Sequence, residues 1–253
     1  MIAQLAELGY EGFEEGINYI YAYITESEYN EQETYDLTAG SDVTITKEVI
    51  APRNWNQEWE ENFQPVQVAA FCAIRAHFHA PVPGVQHEII ITPKMSFGTG
   101  HHATTFLMIQ GMEKLDFTGK KVLDFGTGTG VLAILAERLG SRDIMAIDND
   151  DWSIANAAEN IALNNCTHIT IEKCDHLQMN TRFDVILANI NKHVLLTNMA
   201  AVSQHLTQEG VVLMSGLLTG DSAEIEKAAF NNNLTVVGEQ VKDNWLCLVL
   251  KRI

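Results

Sequence analysis

At 253 residues, 46% hydrophobic and 19% charged, the chain suits one large domain or a medium domain plus a small one. No apolar run approaches the roughly 18 residues needed to cross a bilayer, and the acidic opening segment 1–16 does not read as a secretory signal. The formal net charge of −17 is uneven: residues 1–60 hold 13 acidic and 2 basic side chains, which disfavours bare nucleic acid and suits either a basic protein partner or solubility alone.

Ile2, Leu5 and Leu8 share one face of a predicted helix over residues 1–8. Glycines 9, 12 and 16 then lead into 17–24, whose β-branched and aromatic content predicts a strand, the second arm of a hairpin. The acidic stretch 25–40 predicts a helix ending at Gly40, and VTITKEVI at 43–50 another strand. These elements make a small α+β domain over 1–51, marginal as an independent fold. It opens directly in a helix, so it is expected to lack its first strand. A linker is expected over 52–85, where Trp55, Trp59 and Phe63 recur every four residues, a packing stripe for a connecting helix. Four scattered cysteines (Cys72, Cys166, Cys174, Cys247) have neither metal-ligand nor CxxC spacing. Reduced thiols, no metal site and a cytoplasmic address are the expectation.

Residues 86–253 are expected to form the main domain. Apolar strands are predicted at 121–125, 144–148, 168–174, 183–190 and 210–216. Between them lie helical patterns at 131–140, 152–165 and 192–206, with a further helix from Ser222. Fully apolar strands alternating with helices predict an α/β fold: a mostly parallel, Rossmann-like sheet covered on both faces. Two last strands around a turn at Lys242–Asp243 predict an antiparallel C-terminal edge hairpin.

The densest chemical signal is the turn Asp124-Phe125-Gly126-Thr127-Gly128-Thr129-Gly130 after the first strand of that domain. Its glycines let a ligand approach the backbone, and Asp148, ending the next strand, can accept both ribose hydroxyls of a nucleoside cofactor. The competing reading of Asp148 is a helix cap, a task also open to Asn149, Asp150 and Asp151. The third glycine comes one residue early for the nicotinamide fingerprint G-x-G-x-x-G. The spacing is instead similar to motif I of class I methyltransferases that use S-adenosylmethionine.

Asn189 ends the fourth strand, where an open α/β sheet places its ligand crevice. A neutral amide there can accept a hydrogen bond from an amine and aim the nitrogen lone pair; the other reading is a turn cap. His101 and His102 can be read as a general base or as parts of a closing loop. Asp175 can be read as an adenine contact or a plain loop residue.

Taken together, FGTGHHATT at 97–105, DFGTGTG at 124–130, Asp148, the Ala188-Asn189-Ile190 run and the segment WNQEWEENFQPVQV resemble the ribosomal protein L11 methyltransferase family, PrmA. The resemblance covers nearly the whole chain. It implies a small recognition domain joined to a class I methyltransferase domain, with amino groups of ribosomal protein L11 as substrate. By motif it places Thr105, Gly126, Gly128, Asp148 and Asn189 on S-adenosylmethionine, with Asn189 also beside the acceptor nitrogen as the catalytic residue. The chain departs from the family pattern at His101-His102-Ala103, at Thr127, and at Asn191-Lys192, which border the expected acceptor pocket. The rival readings are a methyltransferase acting on RNA or another protein, and a non-catalytic ribosome-assembly factor. Enzymes acting on planar acceptors often carry two prolines and an aromatic after the Asn, which Ile190-Asn191-Lys192 lacks.

Overall fold

A computed structural model of the chain describes residues 1–50, 63–94, 98–174, 177 and 180–253. The chain divides into two compact units, Met1–Glu58 and Trp59–Ile253.

In the first unit, helix α1 (Ile2–Glu7) precedes an antiparallel hairpin of β1 (Gly12–Glu15) and β2 (Ile20–Tyr23), in which Gly12 pairs with Tyr23. Helix α2 (Glu31–Thr38) starts where the Asn30 side chain accepts from the Gln32 and Glu33 amides, satisfying two otherwise unpaired donors. Its small core holds Leu5, Tyr10 and Thr34, with 2.9 Å between the Tyr10 and Thr34 hydroxyls. The strand expected at 43–50 does not form. Val43, Val49 and Ile50 are exposed there, so the alternating pattern has no apolar face to bury. The Trp55–Trp59 part of the expected linker helix lies outside the described residues.

The second unit begins with strands in the region assigned to the linker. Strand β3 (Val66–Val68) pairs antiparallel with β4 (Cys72–Ala76), and β4 pairs parallel with β5 (His87–Ile91). The expectation of a linker with a helix over 52–85 is corrected within 66–76, where strands β3 and β4 form. Cys72, Ala73, Ile74 and Ala76 are each at most 2% exposed, so this segment contributes core to the second unit.

The main sheet then follows in order: α3 (Ala103–Met112), β6 (Lys121–Phe125), α4 (Val131–Arg138), β7 (Asp143–Asp148), α5 (Asp151–Leu163), β8 (Ile169–Lys173), β9 (Phe183–Asn189), α6 (Lys192–His205), β10 (Leu206–Leu218), α7 (Ser222–Asn231), β11 (Leu234–Lys242) and β12 (Trp245–Arg252). Its seven strands lie in the order β11-β12-β10-β9-β6-β7-β8. Five are parallel and the last two form the antiparallel hairpin at one edge. The hairpin turn is Asp243–Asn244, one residue later than expected. Both residues take positive φ (50° and 65°), which Asn and Asp tolerate and the Lys242 side chain does not favour.

Alternate residues of the central strands enter different cores. Val122, Val185, Leu187 and Leu213 pack with α3 and α4 on one face; Leu123, Phe125, Ile186, Ala188 and Met214 pack with Leu195 and Met199 of α6 on the other. A parallel sheet buried on both faces is the architecture that its uninterrupted apolar strands require. Among the described residues no helix is long and apolar enough to cross a membrane.

Leu213 lies fully buried on β10, its methyls facing Gly111 of α3. Leu213→Ala is expected to cost about 2–5 kcal/mol in urea unfolding, while Val241→Ala on the exposed edge should cost less than about 1 kcal/mol.

Candidate functional site

Strand order reverses between β6 and β9: from β6 the chain steps outward to β7 and β8, then returns to β9 on the other side. Crevices open at the carboxyl ends of strands at such a point, because the connections leave in opposite directions. The register brings those ends level. Phe125 is one step past Asp124, opposite Leu187; Ala188 pairs with Phe125 and Asn189 with Ser215. A cavity of about 500 Å³ lies at this end, within the range for small-molecule sites.

One side of the cavity is built from Gly126, Gly128, Asp148, Asn149, Ser153 and Cys174. The Asp148 carboxylate accepts from the Gly128 amide at 2.9 Å and from the Asp150 amide at 3.1 Å. It thereby ties the glycine turn to the end of β7 while lining the cavity. The capping alternative is resolved by Asp150, which accepts from the Ser153 amide and hydroxyl at the start of α5. Asp175 lies outside the described residues.

The other side is lined by His102, Thr104, Asn189, Asn191, Val194 and Trp245, with Ile190 and Gly216 between. Asn189 is 8% exposed, and its Nδ2 donates to the Thr105 hydroxyl at 3.3 Å. Its Oδ1 is buried with no hydrogen-bond partner among the described residues. Buried carbonyl oxygens are rarely left unpaired, so this one calls for a partner. Thr105 itself does not line the main cavity. It borders a smaller recess of about 20 Å³ shared with Gly98, Gly126, Thr129 and Asn189, and so reaches the site through Asn189.

Gly126 and Gly216 are required by close approach. Each has positive φ (77° and 89°), and a Cβ would lie 2.2 Å from Ile190 Cγ2 or 2.1 Å from the Ile190 carbonyl oxygen. Ile190 is therefore clamped between two strand ends, which fixes the adjoining Asn189. The two histidines separate. His101 is held at 2.9 Å by the Gln64 carbonyl and packs edge-on to Phe63, whereas His102 caps α3 and lines the cavity beside the Trp245 ring. Asn191 caps α6 through Val194 N, and Lys192 turns away to ion-pair with Asp221 and Glu224. Hydrogen bonding to Asp221 and then Glu224 raises the Lys192 pKa and keeps that ammonium charged.

Trp245, Gly216 and Val194 were not singled out by the sequence. Trp245 carries no local motif, and only the pairing of β12 with β10 brings it here. Asp124 opens the glycine turn, and no local pattern marks its part there. It is fully buried, its Oδ2 accepting from the Thr127 hydroxyl at 2.7 Å and from the Ala133 amide at 3.1 Å. It therefore braces the turn from behind.

Burial pushes the Asp124 carboxyl up to about 6, against the hydrogen bonds from Thr127 and Ala133 and with some help from the nearby Asp148 charge. The folded state then holds this proton more tightly than the unfolded chain does, so its contribution to stability falls as pH rises from about 4 to about 6. Relative to Asp124→Asn, the wild type should lose about 2 kcal/mol between about pH 4 and pH 7, read from urea midpoints. An equal difference at both pH values would contradict the buried titration.

The chain matches the family model described as ribosomal protein L11 methyltransferase (PrmA) over residues 9–253. Among curated relatives named ribosomal protein L11 methyltransferase, that of Chlorobaculum parvum is 40% identical, covering 99% of this chain and 91% of the relative. That of Bacteroides fragilis is 38% identical, covering 97% and 90%. A crystal structure titled ribosomal protein L11 methylase from Lactobacillus delbrueckii subsp. bulgaricus superposes with a TM-score of 0.70 at 32% identity, covering 75% of this chain and 99% of that one. With a match over nearly its full length and a methyltransferase fold around the cavity, the chain belongs to the ribosomal protein L11 methyltransferase family.

Proposed function

We propose that this protein transfers methyl groups from S-adenosylmethionine to amino groups of ribosomal protein L11. The observation that carries the reading is the buried, unpartnered Oδ1 of Asn189 on the cavity wall at the point where strand order reverses. The residues present fit the donor. Asp148 offers a carboxylate for vicinal hydroxyls, the turn at Gly126 and Gly128 leaves its backbone accessible, and the volume suits a nucleoside with an amino-acid arm. Bound there, the donor supplies an electrophilic methyl on a sulfonium.

The residues of the chain then do three things. Asp148 and the glycine turn bind and orient. Asn189, its amide nitrogen held by Thr105, accepts a hydrogen bond from the incoming amine and points the nitrogen lone pair into the cavity. His102, Val194 and Trp245 wall the acceptor side with rings and methyls, which thins the water around an ammonium and favours its neutral form. With Lys192 paired to Asp221 and Glu224, its charge is offset before it can repel a cationic substrate.

We assign residues 1–51 the task of substrate recognition. Their acidic surface suits a basic ribosomal protein and raises the encounter rate more than the affinity. A cytoplasmic address follows from such a substrate. RNA is the less favoured acceptor, since the acidic charge repels it and no aromatic follows Asn189-Ile190 for stacking on a planar base.

Purified protein incubated with labelled S-adenosylmethionine and L11 is expected to give methyl-sized mass increments on L11. Asn189→Ala should lower kcat about a hundredfold while donor binding by calorimetry persists. Label on RNA, or none on L11, would overturn the substrate assignment.

A further inference from the structure

Helix α5 carries asparagines at 156 and 160 and is C-capped by Asn164; the three are four residues apart and so face the same way. All are buried, at 0%, 0% and 2% exposure. Amides on a buried helix face are unfavourable unless each finds partners, and these find backbone. Strand β5 ends the order of the small sheet, which leaves the N–H and C=O groups of its outer side without a neighbouring strand. The asparagines supply one. Asn164 accepts from Ile90 N at 3.0 Å and donates to Ile90 O at 2.6 Å. Asn160 accepts from Thr92 N at 2.8 Å, and Asn156 donates to Thr92 O at 3.1 Å.

Asn160 differs from Asn164 in its second bond. Its Nδ2 donates not to β5 but to the carbonyl of Thr129, in the glycine turn, at 2.8 Å. The Thr129 hydroxyl in turn donates to the Gly98 carbonyl at 2.9 Å. The chain leading toward α3 is thus attached to one residue of the glycine turn at two points, Thr92 through Asn160 and Gly98 directly. Just beyond Gly98, His102 caps α3, and Thr105 on that helix holds Asn189.

We propose that Asn160 and Thr129 are positioning residues for methyl transfer, registering the segment that enters α3 on the glycine turn so that Thr105 meets Asn189 in its working orientation. This rests on the methyl-transfer reading above. Neither residue touches the acceptor. Each acts by setting the distance between the donor side of the cavity and the helix that orients the acceptor-binding amide. Asn164, with two side-chain bonds on Ile90 and one on the Asn160 carbonyl of its own helix, anchors that helix to the same strand without reaching the turn, so it separates packing from positioning.

The test compares Asn160→Ala, Thr129→Val and Asn164→Ala by melting temperature, S-adenosylmethionine affinity and single-turnover methylation of L11. Asn160→Ala and Thr129→Val are expected to lower kcat roughly tenfold, with KM for L11 within about twofold. Thr129→Ser, which keeps the hydroxyl, should recover most of the lost rate. Asn164→Ala should lower the melting temperature comparably yet keep kcat within about twofold of wild type. An unchanged kcat in Thr129→Val, or an equal loss in Asn164→Ala, would overturn the proposal. Thr129→Val is close in shape to the native residue and covers the case in which Asn160→Ala does not fold. Should the wild type leave L11 unmodified, the substrate reading fails by itself. A crystal structure of Thr129→Val then still decides the positioning claim, by whether residues 102–105 shift relative to Asn189 by about 1 Å or stay in place.

Discussion

The pairing of β6 with β9 is the constraint from which the cavity end of the sheet follows. By aligning Phe125 with Ala188, it sets the glycine turn beside Asn189, two segments separated by more than fifty positions in the chain. The sheet is buried on both faces, so this register cannot slip by one residue without exchanging the two apolar cores, and a slip of that kind is strongly disfavoured. The polar atoms at the strand ends inherit that rigidity. Asp148 meets Gly128 because β7 is hydrogen-bonded alongside β6, and Gly216 gives Ile190 room because β10 runs alongside β9.

Around this frame the chain keeps several buried polar groups, and their partners show what each contributes. Asp124 braces the turn through Thr127 and Ala133 and carries a raised pKa because nothing positive compensates its burial. The asparagines of α5 close the open edge of β5 with side-chain amides in place of a strand. Asn189 is the exception among those that line the cavity, with one half of its amide satisfied by Thr105 and the other half buried without a partner among the described residues. An arrangement that spends rigidity on one face of a side chain and leaves the other unsatisfied is what binding an external donor requires.

Much of the main domain was legible because its strands are uninterrupted apolar runs with punctuating glycines, a pattern that leaves little choice but a covered parallel sheet. The edge hairpin was legible from its paired β-rich runs, though its turn fell one residue late because positive φ at Asp243 and Asn244 is not encoded by hydropathy. The strand expected at 43–50 failed for a related reason: alternation predicts a strand only where another element covers its apolar side. Strands β3 and β4 went unseen within an expected linker, since both are short and β4 finds its second neighbour only in β5, beyond the linker. At the site, Gly126, Gly128, Asp148 and Asn189 were readable from spacing, and all four line the cavity. Thr105 was readable only by resemblance, and it stands one step back, behind Asn189. Trp245 and Gly216 were not readable, because their place depends on sheet order and no local pattern marks them.

The most direct test of the central claim is a crystal structure of the protein with S-adenosylhomocysteine bound. The ribose hydroxyls are expected on the Asp148 carboxylate, the amino-acid arm against the turn at Gly126 and Gly128, and the sulfur facing Asn189. A nucleoside bound elsewhere, or a sulfur directed away from Asn189, would contradict that claim.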